Sequence, residues 1–157
     1  MQTLKNSLTK PLRPVHISLA IAVLVVALIG FADASYLVIE HYQGVIPPCT
    51  LVSGCEKVLT SPFSEIFGLP VSLPGAIFYL LVAAGAFAYI EGKHEELFRY
   101  ALQFTVFGLL ASIWFVFLQV FVIHSYCLYC MGSAITSTTL FILACVILHK
   151  HQWTTNS

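Results

Sequence analysis

The chain has 157 residues, enough for one domain and short for two. Hydrophobic residues make up 59% of it, charged residues only 9%, and the mean hydropathy is +0.90. A soluble domain carries about 25% charged residues, so seven basic and seven acidic side chains cannot cover a water-facing surface around this much apolar mass. Disorder needs the opposite balance and is excluded too. A formal net charge of zero gives nucleic-acid binding no electrostatic basis. What remains is an integral membrane protein.

Four stretches are long and apolar enough to cross a bilayer, which takes about 20 residues as a helix: Ile17 to Ile39, Ser72 to Ile90, Tyr100 to Ile123 and Cys127 to Leu148. Each is expected to be a helix, because open strands would leave backbone groups unpaired in lipid. The first run is too long for a signal-peptide core and lacks a small-x-small cleavage site, so it is read as a retained span. The expected fold is all-α: a four-transmembrane-helix bundle, one domain over residues 1–157, with a large outer loop between helices 1 and 2.

Lys and Arg set the expected orientation. Lys5, Lys10, Arg13, Lys93, Arg99 and Lys150 fall on one side, and only Lys57 on the other. Both termini are therefore expected in the cytoplasm, in a cell inner membrane, with the loop from Glu40 to Val71 on the outer, periplasmic side. That loop is broken by Pro47, Pro48, Pro62 and Pro70 and by Gly44, Gly54 and Gly68. Ser61-Pro62 reads as the start of a short helix, with Ser61 as N-cap and an apolar face of Phe63, Ile66 and Phe67, lying on the membrane or on the bundle. Glu91 to Arg99 reads as a short charged connector.

The orientation places Cys49, Cys55, Cys127 and Cys130 on the side where thiols are oxidised, while Cys145 lies within span four. Cys127-Leu128-Tyr129-Cys130 is a CxxC at a helix start, where free N–H groups and the helix dipole favour thiolate. One helical turn brings its two sulfurs within bridging range. Cys49 and Cys55 sit among Pro and Gly in a loop that can move, so this pair can meet a soluble partner in one pose and the CxxC in another. Exchange between them would run through mixed disulfides. A lipid-soluble quinone is the natural acceptor for the electrons, since the chain has no dinucleotide fingerprint.

Other readings stay open on the residues alone. The outer cysteines suit two structural disulfides, or, with His124, a zinc or copper site, although the x5 spacing is looser than usual for zinc. Cys145 reads as a small hydrophobe, and Trp114 as packing. Asp33 is the only charge expected inside a span. It either faces the bundle interior in a functional role or reaches interfacial water from near the outer helix end.

The combined pattern resembles the vitamin K epoxide reductase family in its bacterial form. The matching stretches are Gly30 to Leu37, Cys49 and Cys55 with Glu56 to Ser61, Gly68 to Gly75, and Tyr126 to Ala134. The resemblance implies a membrane thiol–quinone oxidoreductase with redox disulfides Cys49–Cys55 and Cys127–Cys130 and a transient Cys55–Cys127 bridge. Cys49 would meet the partner, Cys55 would pass electrons to Cys127, and Cys130 would face the quinone, ubiquinone or menaquinone. Ser61, with Asp33, would border the quinone pocket. A resident metal is not implied. Animal members carry tyrosine where this chain has Ala134, which argues against vitamin K epoxide chemistry. The chain ends at Ser157 with no thioredoxin-like fusion, so a separate DsbA-like, thioredoxin-fold partner is expected.

Overall fold

The computed structural model describes residues 17–47, 54–66, 68–92 and 94–153. Cys49, Pro48, Phe67, Lys93 and the terminal Lys5, Lys10 and Arg13 lie outside the described residues.

Helix α1 runs Ile17–Gln43. Its buried residues Ala20, Val23, Ala27, Gly30, Ala34 and Leu37 recur at alternating steps of three and four. That spacing keeps one narrow stripe of mostly small side chains facing inward, which lets helix backbones approach closely within a membrane. Larger apolar residues such as Ile21, Leu28 and Ile29 point outward, as lipid contact requires. The hydropathy pattern ended this helix at Ile39; it continues one turn further, and Asp33 therefore lies well inside it.

Helix α3, Ser72–Ile90, presents a matching stripe of Ala76, Tyr79, Val82, Ala83 and Ala86. It packs more extensively against α1 than any other helix pair does. Gly30 makes the approach feasible, because a Cβ there would overlap the Tyr79 ring. The Tyr79 hydroxyl donates to the Ser133 carbonyl at 2.7 Å and pairs with the hydroxyls of Ser133 and Thr136 at 3.0 and 2.8 Å. A phenol buried without partners would be costly; with them, it ties α3 to the last helix. Gly92, at φ +71, closes α3 by taking the left-handed position after the helix end.

Helix α4 spans Glu95–Phe117, opening with Glu95 and Glu96 at its positive end. It starts earlier than hydropathy suggested, so Arg99 belongs to the helix and is buried rather than lying in a connector. The chain continues as a π-helical segment, Leu118–Ile123, and stops at His124 in a left-handed conformation, φ 52. Helix α5, Leu128–Trp153, packs against α1 and α4. Trp114 turns outward, where it stacks on Phe117, and Cys145 is also exposed on the bundle's outer face. All four long helices are apolar enough to span a membrane.

The segment after α1 differs from expectation. Among the described residues, no helix starts at Ser61. The short helix is α2, Cys55–Leu59, and the chain then forms a two-residue hairpin, β1 (Glu65–Ile66) against β2 (Leu69–Pro70), antiparallel, with Glu65 opposite Pro70. The reason lies in the serine hydroxyls. Ser61 Oγ donates back to the Val58 carbonyl at 2.7 Å, and Ser64 Oγ to the Ser61 carbonyl at 2.7 Å. The first closes the end of α2 and the second a turn beyond it, so neither caps a new helix, and nucleating another turn would be unfavourable without such a cap. The hairpin is held near α1 by His41 Nε2 and Glu65 Oε1, 3.6 Å apart.

Candidate active site

Helix α2 docks on the π-helical segment, and this contact builds the site. Cys55, Val58, Ile123 and Cys127 form one buried cluster, flanked by Leu59, Tyr129 and Cys130. Cys55 is 2% exposed and Cys127 fully buried. The loop cysteine and the first CxxC cysteine are thus brought into the same small apolar compartment. Cys55 is disulfide-bonded, whereas Cys127 and Cys130 are thiols.

The close fit depends on Gly54. A Cβ at this position would lie 2.5 Å from the Tyr126 carbonyl oxygen and 2.8 Å from the Tyr126 nitrogen. Both are backbone atoms, which cannot rotate away. Gly54 has an ordinary φ of −107, so space, not dihedral freedom, demands glycine.

Cys127 occupies the N-cap position of α5, one residue ahead of the fourth span. Its carbonyl accepts the first helical bond, from Met131 N–H at 3.0 Å. Its thiol is held below the usual cysteine value of 9.0, at about 7, by a hydrogen bond from the Cys130 thiol and by the Cys130 and Tyr129 N–H groups. Burial and the Asp33 charge oppose this without cancelling it. A lowered value means that thiolate persists as pH falls from 9 to about 7 and is lost below that. In the reduced protein, Cys127 alkylation is therefore expected to stay nearly constant over that interval and to fall about tenfold per unit only under pH 7. Rates that climb steadily up to about pH 9, measured by mass spectrometry of the alkylated peptide, would contradict the activated thiol.

Cys130 touches both this cluster and a second space. It lines a cavity of 820 Å³ between the helices and the hairpin, a wall to which neither Cys55 nor Cys127 contributes. Phe78, Phe104, Phe107 and Phe115 give the cavity an aromatic lining; Ser61, Ser112, Ser133 and Ser137 supply hydroxyls. Asp33, Glu40 and His41 follow one face of α1 along it. Asp33 Oδ2 and Glu40 Oε2 are buried there without a hydrogen-bond partner among the described residues. Ala134 is part of the wall.

The chain matches the model of the vitamin K epoxide reductase family over residues 21–145. It belongs to that family. It is also 32% identical over 120 residues to the thiol-disulfide oxidoreductase LTO1 of Arabidopsis thaliana, a match covering 71% of this chain and 32% of that protein. The chain thus spans about a third of that relative's length.

Among the site residues expected from sequence, the family fold brings Cys55, Cys127 and Cys130 together and sets Ser61 and Asp33 on the cavity wall. Cys49 lies outside the described residues. His124 is exposed and does not border the cavity. Among the described residues, no group of three His, Cys, Asp or Glu side chains is placed to hold a metal ion. The sequence reading missed the parts that Gly54, Tyr79 and Gln119 play in packing the site. Only Gln119 left a signal, as a polar side chain in an otherwise apolar run.

Proposed function

We propose that this protein is a membrane thiol–quinone oxidoreductase that reoxidises a thioredoxin-fold, DsbA-like partner. The observation that carries the reading is the division of the cysteines: Cys55 and Cys127 share a dry cluster, while Cys130 opens to an apolar cavity. A volume of 820 Å³ with aromatic walls and a few hydroxyls suits a flat ring bearing two carbonyls. The unpartnered Asp33 oxygen supports a polar ligand in that space.

The thiol steps balance without an added oxidant. A partner thiolate attacks Cys49 of a Cys49–Cys55 disulfide, and Cys55 leaves as thiolate. Cys55 then attacks Cys127 of the Cys127–Cys130 disulfide, and Cys130 leaves. The partner's second thiol displaces Cys49, which attacks Cys55 and releases Cys127 as thiolate. The loop disulfide is restored, and two electrons rest on Cys127 and Cys130, the arrangement in which Cys55 is bridged and the CxxC is reduced. A bound quinone, ubiquinone or menaquinone, supplies a two-electron, two-proton acceptor. Cys130 presents the thiol to it, Ser61 and the α5 hydroxyls orient it, and Asp33 supplies a polar group on the same cavity wall. The basic side chains favour both termini in the cytoplasm and the cysteines on the periplasmic face.

The reading is tested with purified protein in lipid, a reduced thioredoxin-fold partner and quinone. Quinone-dependent partner oxidation is expected, and Cys55→Ser, incubated instead with oxidised partner, is expected to accumulate a mixed disulfide as the Cys49 thiolate attacks the partner's disulfide and the partner's other cysteine leaves as thiolate. Partner oxidation that proceeds equally without quinone, or with Cys49 and Cys55 both replaced by serine, would overturn it.

A further inference from the structure

Gln119 is 2% exposed, on the π-helical segment that precedes the redox turn. Its side-chain Oε1 accepts the Cys127 N–H at 2.9 Å, and its main-chain carbonyl accepts the Ser125 N–H at 3.1 Å. One residue thus grips both ends of the return from α4 to α5. The left-handed turn at His124 provides the reversal that makes this geometry possible.

The logic is that of a capping box. In the usual form, the N-cap side chain takes N–H groups of the first turn, and a Glu or Gln three residues on reaches back to the N-cap N–H. Here the N-cap is Cys127, and its sulfur takes the N–H groups of Tyr129 and Cys130. The residue three positions on is Cys130, whose thiol is engaged by the Cys127 sulfur and does not take the Cys127 N–H. The missing acceptor comes from the preceding helix instead. An α-helix advances about 100° per residue, so the extra residue per turn in a π-helix resets which side chain faces α5.

We infer that Gln119 is a positioning residue that completes the cap of α5 from the preceding helix and so holds the Cys127 sulfur over the helix N–H groups as leaving thiolate. The inference rests on the proposed thiol relay for its consequence, namely faster release of Cys127 when Cys49 attacks the Cys55–Cys127 bridge. The attacking thiolate becomes a disulfide sulfur, and the electron pair leaves on Cys127; better-stabilised leaving thiolates depart faster.

The test uses the full chain in lipid, reduced and carrying ¹⁵N-labelled cysteine. Amide exchange at Cys127 is expected to be slow in the native protein, to accelerate about tenfold in Gln119→Leu and to stay slow in Gln119→Glu, which keeps an acceptor. The pH midpoint of Cys127 alkylation is expected to rise by about one unit in Gln119→Leu, a shift that packing alone would not produce. Gln119→Asn, one methylene shorter, serves the same test if the leucine variant does not fold. A folded variant with native exchange and a native midpoint would overturn the inference. Neither readout needs quinone or partner, so they fail separately from the proposed function. Absent turnover in the native protein, with exchange and midpoint behaving as expected, would sink only the latter.

Discussion

Cys130→Ser is expected to lower quinone reduction at least about a thousandfold, because a serine hydroxyl is not ionised at neutral pH and cannot carry the thiol's electrons. Among the described residues, Cys130 is the one cysteine on the cavity wall, so no neighbour can substitute for it. The rest of the relay keeps its parts. Cys127 can still attack the loop disulfide, and without Cys130 to complete the exchange the Cys55–Cys127 bridge is expected to accumulate. Quinol formation followed by absorbance, with the bridge identified by non-reducing peptide mapping, checks both halves. Normal turnover in the folded variant would remove the mechanism. A zinc or copper site built on the same cysteines predicts a different result: metal loss, with no defined mixed disulfide.

The spans were legible in sequence because each helix needs only length and low charge to cross lipid. The place of the CxxC at a helix start was legible because the motif is local. The loop was not. Whether Ser61 caps the helix behind it or the one ahead depends on where Val58 comes to rest, and α2 rests against a segment some 60 residues away. Gln119 shows the same limit at the site. Its apolar surroundings marked it as unusual, but its role exists only once the chain has turned at His124 and brought the Cys127 amide back to it. Asp33 lies between these cases. The residue type left two readings open, a functional group facing the bundle or a side chain reaching interfacial water, and the packed helices place it on the cavity wall.

Gly54 carries the second large effect, and its substitution separates two parts of the proposed relay. Alanine is compatible with its φ of −107 and ψ of −4, so no backbone strain is introduced. The added methyl group, however, meets the Tyr126 carbonyl oxygen and nitrogen at 2.5 and 2.8 Å. Since those atoms belong to the turn that fixes Cys127, either α2 must lift or the turn must deform, and α2 is the less anchored of the two: five residues against a return clamped by Gln119. A displacement on the order of 1 Å at a reacting pair costs about a hundredfold in rate. Gly54→Ala is therefore expected to lose about a hundredfold in partner-driven quinone reduction, while retaining most of the activity driven by dithiothreitol, a small dithiol that can reduce Cys127–Cys130 without passing through Cys55. The helix content and the Cys127 alkylation profile are expected to stay native. Equal losses with both reductants would place the damage in the turn or the cavity. Unchanged partner-driven turnover would mean that electrons do not need Cys55 seated against Cys127.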